Sequence, residues 1–246
     1  MKLTLSEPRF FKEPIIIISE LVNEVVFKIN KDGMELVAMD PANVAMVVYK
    51  LLGSAFVEYE IDEELEIAVN LDNLKQVLRR AKPADFIIIE LLESKLKITL
   101  KGTSERVFTL SLINLSDDER QKVPALDFKS RIEIPSNLFN EAIEDMDVVS
   151  DSVAFEVKDK TFSVQAAGNL STAKVSFKEN DNLVIESKDN VRSRYSVEYL
   201  KKIIKGSKLN DMCLIWLGNE YPLKIEYRVM DKVVLSTILA PRVSND

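Results

Sequence analysis

The chain has 246 residues, of which 46% are hydrophobic and 30% are charged, and its net charge is −7. It contains no histidine and one cysteine, which excludes Ser-His-Asp and Cys-His catalysis, imidazole-based zinc sites and internal disulfides. None of its six glycines forms a phosphate-binding loop, and its longest aliphatic run, residues 15–18, is far shorter than a membrane span of about 20 residues. The sequence therefore predicts a globular, cytoplasmic chain of one or two domains.

Hydrophobic periodicity predicts four helices and thirteen strands. In chain order, the first half contains a helix over 6–22, strands over 25–29, 34–39 and 44–49, a helix over 71–82, and strands over 86–91, 95–100 and 106–112. The second half contains a helix over 135–147, strands over 153–157, 161–166, 172–177 and 183–186, a helix over 197–208, and strands over 212–217, 223–228 and 233–239. Pro14 disturbs the first helix unless it lies in the first turn, and Gly206 is predicted to end the last helix as a C-cap.

The second half of the chain repeats the first. A shift of 128 residues aligns 25–29 with 153–157, and a shift of 126 aligns 71–79 with 197–205. Further matches at similar offsets are collinear with these, which indicates an internal duplication. We predict an N-terminal domain over 1–114, an acidic linker over 115–127 and a C-terminal domain over 128–246.

Positive charge is concentrated on the same helix of each half, although the chain is acidic. The helices over 71–82 and 197–208 each carry four cations and one acid, whereas the helix over 135–147 carries four acids and no cation. For a single helix, a solvated polar face is the ordinary explanation. Its repetition in both halves favours a surface that contacts a phosphate backbone without recognising bases.

Three separated motifs show a family resemblance. Residues 32–40 (Asp-Gly-Met-Glu-Leu-Val-Ala-Met-Asp) followed by 44–47, residues 221–227 (Tyr-Pro-Leu-Lys-Ile-Glu-Tyr) and residues 239–243 (Leu-Ala-Pro-Arg-Val) resemble those of the DNA sliding clamps of archaea and eukaryotes, the proliferating cell nuclear antigen family. The resemblance covers the whole chain and is closest to an archaeal clamp subunit. It implies an α+β fold with two tandem copies of the DNA-clamp domain, sheets outside and two helices per domain lining a central channel.

The resemblance also implies a function. Three subunits close into a ring, as a homotrimer or as a heterotrimer with paralogous subunits, and the ring encircles duplex DNA independently of its sequence. As a processivity factor at the nucleoid, the clamp tethers DNA polymerase, clamp loader, flap endonuclease and DNA ligase during replication and repair. The resemblance implies no catalytic residues, no cofactor, no metal site and no membrane partner.

Three sets of residues follow from this resemblance. The DNA-binding cations are Lys12, Lys75, Arg79, Lys201, Lys202 and Lys205. The partner-peptide groove is formed by Met39, Val44, Met46, Val123, Pro124, Phe128, Pro222, Ala240 and Pro241. Because edge strands expose unpaired backbone, we predict that 105–113 of one subunit pairs with 171–178 of the next, with Leu110 and Val175 in the interface.

Other interpretations of these residues exist. By themselves, Met39, Val44 and Met46 alternate as core residues do, and the groove prolines fit ordinary turns. The alternative function is a two-domain scaffold that does not bind DNA. A third class, a hydrolase with a carboxylate pair such as Asp40 and Asp151, lacks any pattern that would bring the two acids together.

Overall fold

The structure is a computed structural model, and it describes residues 1–114 and 121–242. Part of the predicted linker, residues 115–120, lies outside the described residues. The chain forms two compact units. Unit 1 comprises residues 1–41, 47–123 and 228–235, and unit 2 comprises residues 42–46, 124–227 and 236–246.

All four predicted helices are present; the third agrees with the prediction to within one residue, and the α-helical parts of the other three are shorter than predicted. The α-helices are α1 (Arg9–Ile18), α2 (Leu71–Leu78), α3 (Ser136–Asp147) and α4 (Val197–Ile203). Two 3-10 helices cover Gly53–Ala55 and Ile204–Lys208, so the predicted last helix changes from α to 3-10 geometry midway.

Eighteen strands lie in the described part of the chain. Those of the first half are β1 (Lys2–Leu5), β2 (Glu24–Asn30), β3 (Gly33–Met39), β4 (Ala45–Leu52), β5 (Glu58–Glu60), β6 (Leu65–Asn70), β7 (Phe86–Leu92), β8 (Lys95–Lys101) and β9 (Glu105–Ser111). Those of the second half are β10 (Ser130–Pro135), β11 (Ser152–Lys158), β12 (Thr161–Ala167), β13 (Thr172–Lys178), β14 (Val184–Ser187), β15 (Val191–Ser196), β16 (Met212–Leu217), β17 (Leu223–Val229) and β18 (Val233–Leu239). Strands β1, β5, β6, β10 and β15 were not predicted from the sequence.

Sheet topology is the same in the two units. In unit 1 the strand orders are β5-β1-β7-β8-β9 and β6-β2-β3-β4. In the second half of the chain the orders β14-β10-β16-β17-β18 and β15-β11-β12-β13 reproduce them strand for strand. The predicted duplication and the predicted α+β class are therefore confirmed.

The core of each unit lies between its helix pair and its sheets. Helix α1 contacts α2 in unit 1, and α3 contacts α4 in unit 2. In unit 2 the ring of Phe155 meets those of Phe139, Phe162 and Tyr195 at centroid distances of 5.8, 5.5 and 5.4 Å. All four residues are fully buried, so this aromatic cluster anchors α3 to its sheet.

Pro14 lies in the middle of α1 and not in its first turn, contrary to the condition set by the sequence pattern. A proline has no N–H, so the carbonyl of Phe10, four residues earlier, loses its helical donor. The hydroxyl of Tyr49 on β4 donates to that carbonyl at 2.8 Å. Both residues are buried, and a side chain from the sheet thus replaces the missing helical hydrogen bond.

Gly206 does not act as a C-cap, which corrects the prediction. It lies within the 3-10 helix, and a Cβ atom at this position would approach the Tyr227 ring to 2.2 Å. The absence of a side chain allows the helix to pack directly on Tyr227. Glycine is needed here for close approach and not for a left-handed backbone.

We predict that Tyr49→Phe lowers the free energy of unfolding by about 1–2 kcal/mol, because the Phe10 carbonyl stays buried without a donor. Urea denaturation of the purified chain measures this change. Tyr227→Phe is the matched control: Tyr227 is equally buried, but its hydroxyl has no oxygen or nitrogen partner among the described residues. Equal midpoints for the two variants would contradict the proposed role of Tyr49.

Candidate functional site

The exposed face of α4 carries the cations predicted for unit 2. The apolar stripe of Val197, Leu200 and Ile203 is buried, which directs the lysines outward. Lys201 forms an ion pair with Asp147 of α3 at 2.6 Å. Lys202 pairs with Glu198 at 3.2 Å and lies over the Tyr199 ring at 5.1 Å. Lys205 is exposed on the following 3-10 helix.

The acids of α3 explain part of this arrangement. Glu141, Glu144 and Asp145 are exposed beside the buried residues of that helix, and Asp147 partly neutralises Lys201. The acidic helix and the basic helix are neighbours in the same unit. The surface they form together is therefore much less positive than α4 alone.

The unit 1 cations are engaged in a similar way. Helix α2 starts at an Asn70 cap, whose side chain accepts from the Asn73 N–H at 3.1 Å. Lys75 pairs with Asp72 at 2.8 Å, and only 18% of its side chain is exposed. Lys12 donates to the backbone carbonyl of Ala81 at 2.9 Å.

That contact ties α1 to the chain just beyond the end of α2. Arg79 is exposed and forms no ion pair within residues 1–114 and 121–242. Of the three cations predicted in unit 1, Lys12, Lys75 and Arg79, Arg79 is therefore the most available to an external anion.

The two strands predicted to join subunits both lie at sheet edges. Strand β9 pairs only with β8 in the order of its sheet, and β13 pairs only with β12. Leu110 on β9 and Val175 on β13 are half-buried, and residues on either side of them along the strands are exposed. Each strand therefore presents an unpaired row of backbone donors and acceptors.

A partly buried ion pair between Asp85 and Arg106 anchors the start of β9. The Lys82 N–H donates to the Asp85 carboxylate at 2.7 Å, and the Arg106 guanidinium pairs with the same carboxylate. These contacts, the Lys82 hydrogen bond first, hold the pKa of Asp85 below its usual value. The pair therefore stabilises the folded state above the unfolded-state pKa of about 4, and this stabilisation is lost as the pH falls through the folded-state pKa.

Unit 2 brings together several residues of the predicted groove. The Ala240 N–H donates to the Val44 carbonyl at 2.8 Å, and the Arg242 N–H donates to the Arg194 carbonyl at 2.8 Å. The Arg242 guanidinium also pairs with Asp151 at 2.9 Å. Pro241 is therefore held between two fixed backbone positions.

Tyr221 organises a second part of the groove, and sequence reasoning missed it. Its ring meets Phe128 edge-on at 5.8 Å, its hydroxyl accepts from the Asp127 N–H at 3.2 Å, and its carbonyl accepts from the Tyr195 hydroxyl at 2.7 Å. Tyr221 therefore fixes the backbone immediately before Pro222. The adjacent Tyr-Pro pair was the available signal.

The other groove residues differ in exposure. Met46 is only 5% exposed, whereas Val123 is 50% exposed and Pro124 is also exposed. Met39 and Val123 belong to unit 1, and the other seven predicted residues belong to unit 2. The whole groove stays a prediction, since the contacts above join only some of its members.

The two acids of the hydrolase alternative lie in different surroundings. Asp151 is used in the ion pair with Arg242, and Asp40 is only 4% exposed. Within the described ranges, no three metal-ligating side chains group together, and no helix has the length and apolar character needed to cross a membrane. The surfaces described above are two helix pairs, two open sheet edges and a set of groove residues in unit 2, which we call the apolar strip: Val44, Phe128, Pro222, Ala240 and Pro241.

Comparison with known proteins identifies the family. Models described as the N-terminal and C-terminal domains of proliferating cell nuclear antigen match residues 1–120 and 122–242. The chain is 36% identical to the DNA polymerase sliding clamp of Pyrococcus horikoshii, covering 95% of this chain and 94% of that protein. It is 31% identical to that of Nanoarchaeum equitans, covering 98% and 99%. A crystal structure of PCNA from Thermococcus kodakaraensis superimposes with a TM-score of 0.91 at 27% identity, covering 98% and 99%.

Fold and matches together define a two-domain DNA-clamp protein. The chain belongs to the proliferating cell nuclear antigen family, which confirms the resemblance seen in its motifs. The sliding-clamp interpretation is confirmed at this level, and the scaffold alternative is not favoured.

Proposed function

We propose that this chain is a ring subunit that encircles duplex DNA and tethers polymerase, clamp loader, flap endonuclease and ligase without doing chemistry itself. Its domains are 1–114 and 128–246, joined by the linker 115–127, and it works in the cytoplasm at the nucleoid. The observation that carries the proposal is the duplicated helix pair, one in each unit, with an apolar stripe buried and cations on the opposite side. In a ring of such units, the helices line the channel and the sheets form the outer shell.

The proposed DNA contact is weak because three of the six predicted cations are paired with acids. Lys75, Lys201 and Lys202 are each paired with an acid of the same helix or the neighbouring one. Fewer uncompensated cations mean fewer counterions released from DNA and a lower affinity. A closed ring stays on DNA through its topology, so a low affinity is compatible with retention and leaves the ring free to slide.

Ring closure is proposed to use the two open edges. Strand β9 of one subunit pairs with β13 of the next, which satisfies both rows of backbone groups. Each strand has seven residues, so their lengths match. The neighbouring subunit is either a second copy of this chain or a paralogue, and the two cases give a homotrimer or a heterotrimer.

For the homotrimer case, we predict that Leu110→Pro and Val175→Pro each convert a trimer into monomers at micromolar concentration. Proline removes a backbone donor and fixes φ in a strand that must pair along its edge. Sedimentation analysis measures the mass of each variant. Val184→Pro, in the edge strand β14, is the control that keeps the trimer.

A wild-type chain that sediments alone as a monomer would indicate the heterotrimer, and mixing it with paralogous subunits should restore a three-subunit mass. If both proline variants remain folded trimers, the β9–β13 pairing is wrong. Circular dichroism of each variant separates a lost interface from an unfolded subunit.

We predict that replacing Lys201, Lys202 and Lys205 with Glu abolishes polymerase stimulation on circular DNA while the fold survives. The triple change shifts the charge of the channel side by about six units per subunit, and Lys201→Glu turns the attraction to Asp147 into repulsion. Loading onto nicked circular DNA at low salt is the measurement. The control reverses Lys28, Lys50 and Lys158, which are exposed on β2, β4 and β11 and not on the strands proposed to join subunits, and it changes the net charge equally. Equal stimulation by both triple variants would exclude α4 from the DNA-facing surface.

The apolar strip is the proposed docking site for partner enzymes. Ala240 and Pro241 are held on Val44 and Arg194, and Phe128 is held by Tyr221 beside Pro222. An aromatic anchor buries about 150–250 Å² at about 25 cal/mol per Å², which yields several kcal/mol before ordering costs. Such a site suits micromolar, exchangeable binding of short apolar tails.

We predict that Val44→Glu or Pro241→Glu abolishes binding of a Gln-x-x-aliphatic-x-x-aromatic-aromatic peptide, because each places a charge in the apolar strip. Calorimetric titration of wild type and both variants measures the affinity, and their unchanged mass in solution controls for assembly. Equal affinity in all three proteins would move the partner site elsewhere.

A further inference from the structure

A shallow cleft lies on the four-stranded sheet β13-β12-β11-β15 of unit 2. It has a volume of about 300 Å³, and Ala154 lines it together with Lys174, Arg192 and Arg194. Alternate residues Val153, Phe155 and Val157 of β11 are buried in the core. Because successive strand residues face opposite sides, the cleft lies on the sheet face away from that core.

The cations of this cleft are not neutralised. Lys174, Arg192 and Arg194 are all exposed, and none forms an ion pair with any residue in the described ranges. The acid closest in register, Glu156 opposite Arg192, accepts instead from the Gln165 amide at 3.0 Å. Three cations without an ion-pair partner in those ranges thus line one cleft, with one acid, Glu156, opposite them in register, in a protein whose net charge is −7.

Strand register places these cations at defined separations. Lys174, Gln165, Ala154 and Arg194 form one row across the four strands. Three strand spacings of about 4.8 Å put Lys174 and Arg194 about 14 Å apart at the backbone. Arg192 is two residues from Arg194 on the same strand and faces the same side, about 7 Å away.

We propose that this cleft binds an extended acidic peptide segment of a partner protein, a contact separate from the apolar strip and beyond the tethering function proposed above. At about 3.4 Å per extended residue, 14 Å corresponds to about four residues. The matching segment therefore has two neighbouring carboxylates at the arginines and a third about four positions further on. Guanidinium groups bind carboxylates through two parallel hydrogen bonds, which favours arginine at the doubly charged end.

The cleft favours a peptide over single-stranded nucleic acid. Its lining contains small and polar side chains, namely Ser152, Thr172 and Gln165 with the alanines, and no aromatic ring on which bases would stack. The small side chains let a peptide backbone approach closely, and the hydroxyl and amide groups offer it hydrogen bonds. A nucleic acid would have only the three cations to bind.

The test is a titration of the full chain with a fluorescent peptide, Glu-Glu-Ser-Gly-Ser-Glu, at low salt without DNA. We expect saturable binding that weakens about tenfold or more in Arg192→Gln/Arg194→Gln, because the doubly charged end loses both partners. The control Lys158→Gln/Lys178→Gln removes the same charge from the same sheet face outside the cleft and keeps the wild-type affinity. The peptide with Gln at all three Glu positions should not bind.

Val44→Glu separates this proposal from the partner groove. This variant should leave binding of the acidic peptide unchanged and abolish binding of the apolar-tail peptide. The two binding proposals can therefore be refuted independently of each other. Equal affinity of wild type and the arginine variant, or equal loss in the lysine control, would overturn the proposal. A single-stranded oligonucleotide that displaces the peptide and depends on the same arginines would assign the cleft to nucleic acid instead.

Discussion

The one-sided burial of each helix pair is the constraint on which the rest of the structure depends. Helices α2 and α4 bury leucine, valine and isoleucine at i, i+3 and i+6 against their sheets, which leaves only one face for charge. The duplication then presents this face twice in one chain. A cation on these helices must lie on the exposed face, because the other face is buried against the sheet. The position of the basic surface therefore follows from core packing.

In the proposed function, charge pairing on those faces limits the strength of the DNA contact. Lys201 forms an ion pair with Asp147 of the neighbouring α3, so the acids of α3 partly neutralise the cations of α4. Exposed ion pairs stabilise a fold by only about 0–1 kcal/mol, which makes a purely structural purpose a weak explanation. In the proposed function, a moderated surface potential accounts for acids and lysines on adjacent helices, because such a channel would attract a duplex without binding it tightly.

The sequence allowed the duplication, all four helices and most strands to be predicted, because those elements have long, single-period hydrophobic patterns. The missed strands β6, β10 and β15 each run into a helix without an intervening loop, at Asn70–Leu71, Pro135–Ser136 and Ser196–Val197. There the period changes from 2 to 3.6 between adjacent residues, so no turn signal marks the boundary. Lys201 was predicted as a channel cation, but its ion pair with Asp147 depends on helix packing that no local pattern encodes.

Pro14 shows how far long-range contacts override local rules in this fold. A proline inside a helix costs about 3 kcal/mol when the freed carbonyl has no partner, and the sequence pattern therefore disfavours one there. Tyr49, 39 residues from Phe10, supplies the missing donor from β4. The same contact fixes α1 against the sheet, and α1 in turn positions Lys12 on the carbonyl of Ala81, just beyond the end of α2. The hydrogen bond that compensates for Pro14 therefore also helps to align α1 with α2, the helix pair that carries the basic surface of unit 1.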